Sequence, residues 1–149
     1  ASSSIRYADL APINPNPGFC WANRGLAGID GTVATATGIA LVTGAPTTLL
    51  LGDLTLQHDL GALAPPEVGH EALLDDHGGT IFASLEQGQP AFAAAFDRVF
   101  RASQGVELGS VVHSLGWRTA EVTCIQSLRQ MLARPSSDRE LLHIVLGQD

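Results

Sequence analysis

Residues 47–53 read TTLLLGD and residues 71–76 read EALLDD. Each is a short, nearly unbroken apolar run that ends in acid. A strand with one wet face alternates apolar and polar residues. Unbroken runs suit strands buried on both faces, the mark of a parallel sheet. FCWAN (19–23), AEVTC (120–124) and ELLHIVL (140–146) read the same way. Between the runs lie residues at helical spacing. Leu56, Leu60 and Leu63 form one apolar stripe, Phe92, Phe96, Val99 and Phe100 a second, and Leu108, Val111, Val112 and Leu115 a third. NPNPG (14–18), GAP (44–46), APPEVG (64–69) and RPSSD (134–138) punctuate the pattern as loops. Strands alternating with helices predict a three-layer α/β domain, a mostly parallel sheet with helices on both faces. Asp30, before GTVATA, reads as a helix N-cap. Ala34, Ala36, Gly38 and Ala40 read as a small-residue face for close helix packing.

The 149 residues are 45% hydrophobic and 15% charged, which fits one domain with a sizeable core. No run nears the roughly 18 consecutive apolar residues of a membrane span. The opening ASSSIRYADLAPINPNPGFCW lacks the basic flank and apolar stretch of a secretion signal, so a cytoplasmic location is expected. A net charge of −7 disfavours a nucleic-acid partner, which calls for a basic face. Cys20 and Cys124 form no CxxC pair and read as reduced, packed thiols of a cytosolic protein. So few charges also hint that part of the surface is covered by a partner.

Ligands of open parallel sheets bind beyond the carboxyl ends of the strands. Two predicted strands deliver acids there: LLLGD brings Asp53, and ALLDD brings Asp75 and Asp76. Neighbouring strands lie about 4.8 Å apart, so the two ends can share one cation if they are adjacent. Magnesium takes hard oxygen ligands, commonly one or two carboxylates plus phosphate oxygens. Asp53, Asp76 and the Gly78 carbonyl could supply half a shell, because glycine lets a backbone oxygen approach closely. A helix opening at Leu54–Thr55 would turn its amides to the phosphates. Asp75–Gly79 also has the composition of an ordinary solvated turn, and acid-terminated strands occur in phosphatases and response-regulator receivers too. The five histidines show no zinc-ligand spacing, and no G-x-S-x-G elbow or Walker lysine is present.

GDL followed by DDHGG resembles the thiamine-diphosphate fingerprint, a GDG at one strand end and NN at the next. More narrowly, NRGLAGIDGTVATATGIA (23–40), GDLTLQHD (52–59), HGGTIF (77–82) and SSSIRYADL (2–10) resemble one family. It is the C-terminal domain of 2-succinyl-5-enolpyruvyl-6-hydroxy-3-cyclohexene-1-carboxylate (SEPHCHC) synthases of menaquinone biosynthesis. The resemblance covers essentially residues 1–149 and is strongest in the first 85. It implies a thiamine-diphosphate- and Mg²⁺-dependent transferase that decarboxylates 2-oxoglutarate and adds the succinyl unit to isochorismate. Asp53, Asp76 and the Gly78 carbonyl would hold the metal. Ser2, Gly28, Ile29, Gly52, Leu54 and Gly79 would complete the cofactor site, with Ile29 bending the cofactor and the Gly28 carbonyl accepting its amino group. Arg6 and Arg24 would hold substrate carboxylates, since a guanidinium fork grips them bidentately. Ile81, Phe82 and Leu85 would form the apolar wall. Position 76 departs from the common pattern in being Asp rather than Asn, and the strand before it looks short.

The family's activating glutamate lies in another domain, and no glutamate here matches it. The resemblance therefore implies no catalytic residue in this chain. It implies N-terminal and central domains of the same enzyme as partners, a homo-oligomer, and an inactive domain when alone. An exposed apolar patch including Ile29, Ile81, Phe82 and Leu85 is expected. A non-catalytic interaction or ligand-binding module, or the small subunit of another thiamine-diphosphate 2-oxoacid decarboxylase, are the competing readings.

Overall fold

The computed structural model describes residues 6, 9–11, 18–23, 28–64, 70–75, 78–134 and 139–145. Their four strands form one sheet: β1 (Thr48–Gly52), β2 (His70–Asp75), β3 (Arg118–Val122) and β4 (Glu140–Val145). Its order is β1-β2-β4-β3 and every pairing is parallel. TTLLLGD, EALLDD and ELLHIVL, whose apolar residues are nearly continuous, supply β1, β2 and β4, whereas β3 reads RTAEV and starts two residues before the expected AEVTC. β2, expected to be cramped, extends over six residues and sits between β1 and β4.

Among the described residues, four helices of six residues or more accompany the sheet: α1 (Thr32–Thr43), α2 (Asp53–His58), α3 (Leu108–Ser114) and α4 (Ile125–Leu132). One sheet face carries Leu49, Leu51 and Leu141, packed with Val33 of α1, Leu56 of α2, and Leu108 and Val112 of α3. Leu63 and Trp117 complete that core. Trp117 Nε1 donates to the Leu63 carbonyl at 3.0 Å, and the Arg139 guanidinium lies 5.5 Å from the ring centroid. The turn after α2 is thereby tied to the entries of β3 and β4. Residues of opposite parity face the other way along a strand. Of these, Val122 and Leu142 are buried while Leu50 remains 40% exposed.

Several expected elements differ. FCWAN is not in the sheet: Phe19 and Trp21, two residues apart and so on one side of an extended chain, stack on each other at 5.7 Å. The stripe Leu56–Leu63 is split, since α2 stops at His58 and a 3₁₀ turn follows over Leu60–Leu63. The break falls at Asp59, whose carboxylate reaches away to α1. The stripe from Phe92 to Phe100 is a 3₁₀ turn, a single α-helical turn (Ala93–Phe96) and a π turn (Asp97–Arg101). Here Pro90 opens the segment, and the Arg101 carbonyl is drawn off to accept the Gly79 N–H. Asp30 does not cap α1; Gly31 does, at φ 74°. Gly38 is exposed and nothing lies within 4 Å of where its Cβ would be, so within this chain only Ala40 of the small-residue face is fully packed. Both cysteines are free, and both are exposed rather than packed. No described helix is long and apolar enough to cross a membrane.

Candidate functional site at the carboxyl edge of the sheet

β1 and β2 are hydrogen-bonded neighbours, with Gly52 opposite Leu74. The chain leaves β1 through Gly52, which is extended at φ −92°, ψ 164°, and turns at once into α2. Asp53 is therefore both the residue after β1 and the first of α2. Only 7% of it is exposed, an uncommon burial for a carboxylate. β2 ends alongside at Asp75. Asp76 follows it and lies outside the described residues, as do Ser2 and Arg24.

The two glycines return to the same edge. Gly79, at φ −67° and ψ 75°, is the centre of an inverse γ-turn closed by the Thr80 N–H on the Gly78 carbonyl at 2.7 Å. A Cβ on Gly79 would lie 3.5 Å from Leu54 Cδ1. The GDL turn and the HGG turn thus meet side chain to backbone. Gly78 is buried at φ 118°, and a Cβ there would stand 2.6 Å from the Arg101 carbonyl oxygen.

The remaining candidates spread around this edge. Ile81 and Phe82 lie on the 3₁₀ turn Thr80–Ser84 that leaves the glycines, and Leu85 follows it. Ile81 is half-buried, whereas Phe82 and Leu85 are 38% and 52% exposed. Phe82 rests on Phe100 at 5.8 Å, and Phe100 on Phe96 at 6.0 Å. Gly28 and Ile29 precede α1, and Thr32 Oγ1 donates to the Ile29 carbonyl at 2.9 Å. Arg6 is exposed. Among the described residues no group of three His, Cys, Asp or Glu side chains converges. Sequence reading missed Asp59, whose Oδ2 accepts the Ala34 N–H at 2.9 Å. Its only signal was a place at the end of GDLTLQHD, inside the expected Leu56–Leu63 stripe.

A parallel α/β sheet with an acid behind one strand and a glycine turn behind its neighbour is the plan of a ligand-binding α/β domain. A thiamine diphosphate-dependent 4-hydroxybenzoylformate decarboxylase of Rhodococcus jostii RHA1 shares the fold. It superposes with a TM-score of 0.61 over 79% of this chain and 23% of its own, at 15% identity. No family model matches the chain. Curated sequences are more specific. The 2-succinyl-5-enolpyruvyl-6-hydroxy-3-cyclohexene-1-carboxylate synthase of Renibacterium salmoninarum is 45% identical over 97% of this chain and 28% of its own length. The synthase of that name from Kineococcus radiotolerans is 40% identical over 100% of this chain and 27% of its own. That from Paenarthrobacter aurescens is 39% identical over 97% and 27%. Nearly the whole chain is thus homologous to a part of these synthases, and it spans little more than a quarter of their length.

Proposed function

We propose that residues 1–149 form the C-terminal, thiamine-diphosphate- and Mg²⁺-binding domain of a SEPHCHC synthase, which joins a succinyl unit from 2-oxoglutarate to isochorismate in menaquinone biosynthesis. The observation that carries this reading is the buried Asp53 behind β1, beside β2, with the Gly78–Gly79 turn against Leu54. The available donors are hard oxygens, the set Mg²⁺ prefers. Asp53 and Asp76 would supply carboxylates. The Gly78 carbonyl accepts one hydrogen bond, from Thr80, and a carbonyl oxygen has a second lone pair for a metal.

When bound, thiamine diphosphate supplies the electron sink for decarboxylation. The residues of this chain would bind and orient. Gly52, Leu54 and Gly79 would border the diphosphate. Ile29 would press on the cofactor from the start of α1, with Gly28, which has open space beside it, offering its carbonyl, and Ser2 would join them. Arg6 and Arg24 would grip the carboxylates of two dicarboxylate substrates. Ile81, Phe82 and Leu85 would keep water from the reacting carbon, and the exposure of Phe82 and Leu85 is what a wall facing absent partners would have. The group that activates the cofactor is expected in the remaining three-quarters of a relative-length enzyme, so this chain alone would be inactive. A homo-oligomer in the cytoplasm completes the proposal.

Titration calorimetry of the complete protein with thiamine diphosphate tests it. The heat should require Mg²⁺ and should vanish in Asp53→Ala. A complete protein that binds no thiamine diphosphate at any Mg²⁺ concentration would leave only a binding module that keeps the fold.

A further inference from the structure

We infer that Asp59 is a positioning residue that locks the two halves of this site together; the inference rests on the thiamine-diphosphate reading above. α1 has Gly31 as its N-cap, with no side-chain cap hydrogen bond. One of its otherwise unpaired amides, Ala34 N–H, donates to Asp59 Oδ2 at 2.9 Å from 25 residues away. Asp59 is itself held on both sides: its N–H donates to the Leu56 carbonyl at 3.1 Å, and its carbonyl accepts the Ala62 N–H at 3.0 Å.

The consequence follows from connectivity. Asp59 terminates the same six-residue helix that Asp53 begins. At the other end of the bond, Thr32 in the first turn of α1 fixes the Ile29 carbonyl at 2.9 Å. A continuous path runs from Asp53 through α2 and Asp59 to the start of α1 and on to Ile29. One carboxylate thereby sets the distance between the residue that would hold the metal and the residue that would bend the cofactor. Without it, α1 would be free to shift at its first turn, and Ile29 with it. Asparagine caps a helix about as well as aspartate, so what the site needs is an acceptor oxygen at 59 and not a charge.

Asp59→Ala and Asp59→Asn in the complete protein test this. Turnover is measured at saturating thiamine diphosphate and Mg²⁺, and binding of Mg²⁺-pyrophosphate, which engages the Asp53 half alone, is measured beside it. Asp59→Ala should lower kcat roughly tenfold, the mark of a sub-ångström shift, since a misplacement of about 1 Å can cost about a hundredfold. Its pyrophosphate affinity should stay within about twofold of the parent, and Asp59→Asn should recover kcat to within about twofold. Parental kcat in folded Asp59→Ala would overturn the assignment. So would an equal loss of pyrophosphate binding, which would make Asp59 a mere support of α2. If the alanine variant does not fold, the asparagine variant decides: folded but slow, it refutes the inference. A parent that does not respond to thiamine diphosphate would sink the functional reading itself, an outcome separable from any behaviour of the variants.

Discussion

A methyl group at Gly78 would stand 2.6 Å from the Arg101 carbonyl oxygen and 3.1 Å from the Ser103 Cα, on a backbone at φ 118°. Both neighbours are backbone atoms, so no rotamer change relieves the contact. Gly78→Ala should destabilise the chain by about 1–3 kcal/mol, the usual range for one strained backbone position, read as a lower urea midpoint. Gly109 gives the contrast. It lies in α3 with nothing within 4 Å of a Cβ, and Gly109→Ala should raise stability by about 0.4–1 kcal/mol. The glycine pair after the acids was legible as significant from the sequence, but the sequence offered only ligand approach as its reason. The 100–103 segment lying against it is a tertiary contact, and no local pattern encodes it. Cys124 carries a second residue-scale expectation. Its sulfur lies 3.1 Å from Ser127 Oγ at the start of α4, and hydrogen bonds from the Ser127 side chain and backbone hold its thiol below the ordinary range, against a smaller opposing effect of desolvation. A lowered thiol pKa means more thiolate at a given pH, so alkylation of Cys124 in a Cys20→Ser variant should rise at lower pH than for a free thiol. Ser127→Ala should move that profile back up; an unchanged profile would contradict the assignment.

At the scale of elements, apolar continuity found β1, β2 and β4, while β3, which reads RTAEV, was met only at its end by the expected AEVTC (120–124). FCWAN has the same composition without a described strand partner, and composition cannot tell the two cases apart. Helical stripes were found where a helix rests on the sheet, as Leu108 and Val112 of α3 do. They misled where another contact takes precedence: the Asp59 cap splits the stripe after α2, and the Arg101 link to Gly79 distorts the one after Phe92. α4 escaped notice although Ile125, Leu128 and Leu132 recur at helical spacing, because its apolar side is short and largely exposed. α1 is apolar nearly all round, with Val33 and Ala40 buried and Leu41 and Val42 exposed at 51% and 89%. Gly38→Ala, in its exposed middle, should stabilise the isolated chain by about 0.5–1 kcal/mol in thermal or urea unfolding. If the same change weakens assembly of the complete protein, α1 packs closely against a partner there.

Across the whole molecule, Leu41, Val42, Phe82 and Leu85 leave apolar surface open to water in a chain whose relatives are more than three times as long. Surface of that kind marks a covered interface, so the isolated chain should self-associate and bind an apolar dye, and sedimentation at rising concentration should follow it. The acids at the strand ends were legible from sequence because strand polarity fixes which end carries them. The adjacency of the two strands was not, since it depends on sheet order, and β1 pairs directly with β2. The central claim is that these two ends grip one divalent ion. A double-mutant cycle on Mn²⁺ affinity, read by electron paramagnetic resonance in the complete protein with thiamine diphosphate, tests it most directly. Asp53→Ala and Asp76→Ala should each weaken binding severely, and the double variant should lose much less than the sum, a coupling of about 1–3 kcal/mol between ligands of a single ion. Strictly additive losses, or parental affinity in either single variant, would contradict the account.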